Sequence, residues 1–172
     1  MATSKPRALV LGYSFVRRIG EFIDSSRAED RYSRDFNLSN VCDVAICGFG
    51  GRTVDRVIKL YLAKIRSTAP NVVVLELGSN DVCDSSCDAA TIALSLVALT
   101  ELLLSEFAVQ FIVVCQILPR KRQPFEGYND RVSQVNTLVR ESLYGTFHKR
   151  SFGTIVALLI ALRTYIAIMA FT

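Results

Sequence analysis

Short apolar runs alternate along this chain with longer segments whose apolar residues recur every three or four positions. Residues 8–12 are the first run and end at Gly12. Residues 14–24 follow, with Phe15, Ile19, Phe22 and Ile23 near helical spacing. Residues 25–40 are polar and charged and read as a surface loop. A second run, 41–47, ends in Gly48-Phe49-Gly50-Gly51. Residues 52–69 then read as an amphipathic helix: Val54, Val57, Ile58, Leu60, Tyr61, Leu62 and Ile65 are apolar, Asp55, Arg56, Lys59, Lys64 and Arg66 are not, and Pro70 closes it. Residues 72–77 are the clearest strand and end in Gly78-Ser79-Asn80-Asp81. An apolar helix over 88–106, a strand over 109–118 closed by Pro119, a basic loop at Arg120-Lys121-Arg122, and an amphipathic helix over 128–147 complete the pattern.

The predicted order is β-α-β-α-β-α-β-α, which implies a parallel sheet covered by helices on both faces. Ligands of such sheets bind outside the carboxyl ends of the strands. Three strands end there in glycine-containing polar turns, at Gly12–Ser14, Gly48–Gly51 and Gly78–Asp81. The first of these hands a buried strand straight to a helix and places Ser14 at the helix N-terminus, where unpaired backbone N–H groups favour an anion or a developing oxyanion.

Length and composition narrow the picture. The 172 residues suit one domain able to bury a core. A net charge of +4 with no long single-sign run gives little ground for nucleic-acid binding. The five cysteines, Cys42, Cys47, Cys83, Cys87 and Cys115, are odd in number, and three lie in or beside apolar runs, so buried free thiols are expected rather than a disulfide framework. With one histidine, no zinc site is expected, and nothing calls for a metal or another cofactor. The N-terminus has no secretory apolar region, so a cytoplasmic location is expected.

The three turns resemble, in order, the first three sequence blocks of the SGNH hydrolases, the GDSL family of esterases and lipases. Gly12-Tyr13-Ser14 stands where the family has Gly-Asp-Ser, Gly51 falls on the glycine of the second block, and Gly78-Ser79-Asn80-Asp81 matches Gly-x-Asn-Asp. The helix with Tyr128-Asn129 and Asn136 is similar to the family's fourth, and the resemblance spans residues 7–150. It implies a three-layer α/β/α fold on a parallel, flavodoxin-like sheet of four or five strands. It also implies a serine hydrolase of acyl esters, with a small molecule or lipid as substrate. Ser14 would be the nucleophile, and the backbone N–H groups of Ser14 and Gly51 and the side-chain amide of Asn80 would face the oxyanion. Taken singly, Ser14 is a helix cap and Asn80 a turn former; the joint arrangement points to a site.

Two features depart from the family. Tyr13 replaces an aspartate that helps hold the turn. The family's Asp-x-x-His block, which supplies the general base and its orienting carboxylate, does not occur, and no aspartate follows Asp130. The single histidine, His148, falls at the far end of a helix of about 20 residues, roughly 30 Å long, and is expected to lie away from Ser14. A hydrolase weakened or inactive as written is therefore expected, with a non-catalytic binding module of the same fold, a pseudoenzyme, as the alternative. Residues 1–153 read as the domain and 154–172 as an apolar tail with one charge, Arg163. For the tail, a fifth strand over 154–161, a helix packed on the sheet, and a membrane anchor all stand open. The anchor would make the protein membrane-associated. A lost or replaced C-terminus is expected from this composition. Substrate identity and oligomeric state are not legible in the sequence.

Overall fold

The computed structural model describes residues 5–25, 36–147 and 155–157. Its elements are β1 (Arg7–Gly12), α1 (Ser14–Asp24), β2 (Asp43–Gly48), α2 (Val54–Thr68), β3 (Val72–Glu76), α3 (Ser79–Val82), α4 (Ala89–Glu106), β4 (Phe111–Val114), α5 (Tyr128–Phe147) and β5 (Ile155–Ala157). The strands form one parallel sheet in the order β2-β1-β3-β4-β5. This is the flavodoxin-like order, and its direction reverses beside β1.

Strand parity decides which helix covers which face. Leu9 and Leu11 of β1, Val73 and Leu75 of β3, and Ile112 and Val114 of β4 share one core cluster with the buried residues of α2, α4 and α5. The opposite face carries Val10, Ile46, Val74 and Val113, aligned across the sheet by register. α1 lies on this second face, with Gly20 against the Ile46 side chain. The result is the three-layer α/β/α arrangement that the pattern and the resemblance predict. α4 is long and apolar enough to cross a membrane, and its place in the fold accounts for that composition. Ile92, Leu96, Leu99 and Leu103 are buried in the core, and Thr100 satisfies its hydroxyl on the Leu96 carbonyl at 2.8 Å.

Several boundaries differ from expectation for local reasons. The second strand begins at Asp43, because Val41 and Cys42 donate their N–H groups to the Leu38 carbonyl in a turn. α2 begins at Val54, with Thr53 accepting from the Arg56 N–H as its cap. The fourth strand is shorter than 109–118. Cys115 still donates its N–H to the Leu75 carbonyl at 2.8 Å, and beyond it Asn136 of α5 accepts from the Ile117 N–H at 2.9 Å and donates to the Ile117 carbonyl at 2.9 Å. The segment after Gly78, expected as a turn, is the single helical turn α3. All five cysteines are free, but only Cys115 is buried; Cys42 and Cys47 are half-buried at the edge strand β2 and Cys83 is exposed. In the tail, Ile155–Ala157 pairs in parallel with β4. His148 and residues 158–172 lie outside the described residues, and with them the packed-helix and membrane-anchor readings.

Candidate active site

β1 is flanked by β2 and β3, so the three turns that leave these strands are neighbours at the carboxyl edge. Gly12 pairs in register with Gly48 on one side and Glu76 on the other. The Phe49 N–H donates to the Gly12 carbonyl at 2.8 Å, and the Phe49 ring stacks on Tyr61 of α2 with centroids 3.5 Å apart. The second turn is thereby fixed to both β1 and α2.

Ser14 is the first residue of α1, with Tyr13 in extended backbone as the N-cap. This is the strand-to-helix placement the sequence predicts, and it leaves the Ser14 N–H among those that no helical carbonyl reaches. Gly51 is exposed and has φ +62°. A Cβ there would meet nothing within 4 Å, so within the protein the demand for glycine comes from the left-handed backbone and not from crowding. Asn80 is half-buried on α3, and its Nδ2 donates to the Arg52 carbonyl at 2.9 Å. That bond ties the third turn to the residue after Gly51. An amide nitrogen carries two hydrogens, and its second N–H is the donor the oxyanion reading requires.

The residue that holds the three turns together is Tyr13, which the sequence shows only as a departure from its family's pattern. Tyr13 is 1% exposed. Its hydroxyl donates to Asp81 Oδ2 at 2.6 Å and accepts from the Gly78 N–H at 2.8 Å. The other Asp81 oxygen accepts from the Val54 N–H at 3.0 Å, at the start of α2. One buried tyrosine–aspartate pair therefore links the turn after β1, the turn after β3 and the N-terminus of α2. Burial, and then the Asp81 charge, push the Tyr13 hydroxyl far above the usual phenol range, so it stays a proton donor to Asp81 at any working pH.

Glu76 was also missed by sequence reasoning. Its signal is an acid inside the apolar run Val72-Val73-Val74-Leu75-Glu76-Leu77. It lies on the same face as Gly12, and burial raises its carboxyl to about 7, against the opposing effects of the Tyr13 backbone N–H and the Arg18 charge. Its Oε2 is buried and has no hydrogen-bond partner among the described residues.

A groove of about 540 Å³ opens between the segment before α4 and the start of α5, with Ser86, Asp88, Phe125, Asp130 and Arg131 on its walls. Ser14, Gly51 and Asn80 do not line it. α5 starts beside the carboxyl edge and runs 20 residues away from it. No group of three or more metal-ligating side chains occurs among the described residues.

A parallel flavodoxin-like sheet with a serine at the first strand-to-helix turn and Gly-x-Asn-Asp at the third defines a class of α/β hydrolytic proteins. The family model for the GDSL-like lipases and acylhydrolases matches residues 9–144, and the chain belongs to that family. Solved structures share the fold. A GDSL-like lipase from Parabacteroides merdae is 16% identical, with 91% of this chain and 78% of that one covered at a TM-score of 0.64. The psychrotrophic esterase EstA from Pseudoalteromonas sp. is 16% identical over 89% and 78%, at 0.62. A variant of the acetyl-xylooligosaccharide esterase Axe2 from Geobacillus is 15% identical over 94% and 80%, at 0.63. No curated protein sequence matches the chain.

Proposed function

We propose that this chain is an acyl-ester hydrolase domain in which Ser14 is the nucleophile, and that in its 172-residue form it turns over slowly. The observation that carries the reading is the position of Ser14 as first residue of α1 at the carboxyl edge, beside the turns that present Gly51 and Asn80. Family membership supports ester chemistry, and esterases stand among its structural neighbours.

The Ser14 Oγ attacks the acyl carbonyl carbon, and the carbonyl π electrons move onto oxygen. The Ser14 and Gly51 backbone N–H groups and the Asn80 amide stabilise that oxyanion, each such donor being worth about 3–4 kcal/mol in the transition state. Collapse expels the alcohol and leaves an acyl-serine, which water then hydrolyses. The weak step is the removal of the serine proton. No Asp-x-x-His occurs in the 172 residues, so the proton passes to solvent. Loss of triad members costs about 10⁴–10⁶ in rate. The same absence favours the second reading, a binding module that holds a ligand at this edge without turning it over.

A fluorophosphonate probe separates the two, because it phosphonylates an activated serine irreversibly. Labelling that maps to Ser14 and disappears in Ser14→Ala is the expected result. An unlabelled chain after prolonged incubation would overturn the nucleophile reading and support the binding module.

A further inference from the structure

We infer that the candidate site takes esters carrying an anionic group, a carboxylate or a phosphate, which Arg17, Arg18 and Arg52 recognise beside Ser14 and Gly51. The inference rests on the reading of Ser14 as nucleophile and names the substrate class of that site.

The placement of two of these arginines follows from helix geometry. Residues three and four apart share one face of a helix, so Arg17 and Arg18 stand on the face of α1 that carries Ser14. Long side chains on a helix lean back toward its N-terminus, which for α1 is the carboxyl edge of the sheet. Arg18 does this directly, its Nε donating to the Ser14 carbonyl at 3.2 Å. Arg17 reaches to the second turn, where a Cβ on Gly50 would lie 3.9 Å from its Cζ. The close seating of α1 makes that reach possible, because the missing Cβ of Gly48 leaves room for the Arg17 backbone. Arg52 belongs to the second turn itself. It is half-buried, it follows Gly51, and its carbonyl is held by Asn80 Nδ2 at 2.9 Å. The three arginines therefore come from the two elements that frame Ser14 and Gly51.

The acids nearby do not neutralise them. Arg17 pairs with Glu21 at 3.7 Å, one helical turn further from the edge, and both side chains are more than half exposed. An exposed pair of this kind is weak and yields readily to a ligand. Asp81 is engaged by Tyr13 and the Val54 N–H, Asp55 pairs with Lys59 at 2.8 Å, and Glu76 Oε2 is buried. Arg18 and Arg52 have no ion-pair partner within 4 Å among the described residues. The edge thus offers solvent an excess of cations, added to the unpaired N–H groups at the start of α1. A guanidinium is a planar fork that matches carboxylate and phosphate oxygens, and charges of one sign around a site raise the local concentration of the opposite sign. A neutral ester makes no use of these groups.

The test is a nuclear magnetic resonance titration of the full chain at low salt, following the backbone amides of Ser14 and Gly51. The ligands are monomethyl succinate and 1-acetylglycerol 3-phosphate, each beside its neutral counterpart, dimethyl succinate and 1-acetylglycerol. At least one anionic ester is expected to bind about tenfold or more tighter than its counterpart, and the tighter of the two tells carboxylate from phosphate. The preference is expected to shrink in molar salt, where charges are screened beyond about 3 Å. It is also expected to fall about threefold or more in Arg17→Gln and in Arg52→Gln. Equal affinity for charged and neutral esters would overturn the inference. So would a preference that survives both substitutions, or one that falls as far in Lys121→Gln, in the basic loop after β4. Should a variant fail to fold, the affinity ratio and its salt dependence in the unsubstituted chain decide. Fluorophosphonate labelling judges the nucleophile separately: an unlabelled Ser14 overturns that assignment, while the titration alone judges the preference for anions.

Discussion

Tyr13 shows how one side chain replaces another at a turn without losing the turn. The resemblance puts at this position an aspartate that helps hold the turn. Tyr13 reaches across to Asp81 and Gly78 and binds the first turn to the third. Its chemistry is legible only once β1 and β3 are known to be neighbours, because its partners Gly78 and Asp81 lie 65 and 68 residues further along the chain. Glu76 illustrates the converse. An acid in a strand core invites suspicion from sequence alone, but the reason it stays there is tertiary. Its raised proton affinity has a consequence for stability. The folded chain binds the Glu76 proton up to about 7, whereas the unfolded chain releases it near 4.5. Between these values the folded state holds more protons, so this contribution to stability is complete below pH 4.5 and is lost as pH rises through 7. The loss is on the order of 3 kcal/mol. Urea denaturation at pH 5 and pH 8 is expected to show that decline in the unsubstituted chain and a much smaller one in Glu76→Gln.

Helices and strands were largely legible because their periodicities are clean. α5 has the predicted bounds, and α1, α4 and β3 differ by a residue or none. The fourth strand is shorter than the pattern predicts because the mostly apolar 115–118 leaves the ladder after Cys115 and its Ile117 is held by Asn136, a long-range partner that no local pattern reveals. The four-residue α3 was read as a turn because it is too short to show a period. How closely α1 seats on the sheet was also hidden. A Cβ on Gly48 would collide with the backbone of Arg17 and Val16, which cannot rotate away as a side chain would. Gly48→Ala is therefore expected to lift the first turn of α1 from the sheet. A destabilisation of about 1–3 kcal/mol by urea denaturation, with slower fluorophosphonate labelling of Ser14, is the expected outcome. Unchanged stability and labelling would show that α1 does not need this close approach.

At the scale of the whole molecule, the sheet order brings three short turns from separate parts of the chain to one edge. Their identities were readable in sequence because each ends a recognisable strand. Their joining through Tyr13, Asp81 and the Asn80–Arg52 bond was not, because side-chain partners over such separations follow from topology. α5 joins the carboxyl end of β4 to the start of the parallel strand β5 and so runs away from the edge, and His148 lies outside the described residues. What stands at the edge is Ser14 beside the turns of Gly51 and Asn80, the proposed nucleophile and oxyanion donors, in a sequence without Asp-x-x-His. The most direct measurement is steady-state hydrolysis of p-nitrophenyl acetate by the purified 172-residue protein beside its Ser14→Ala variant. The account predicts turnover that depends on Ser14 yet falls about 10⁴–10⁶ below that of a complete triad. Ser14-dependent turnover at ordinary enzyme rates, about 1–10³ s⁻¹, would contradict it, as would equal hydrolysis by both chains.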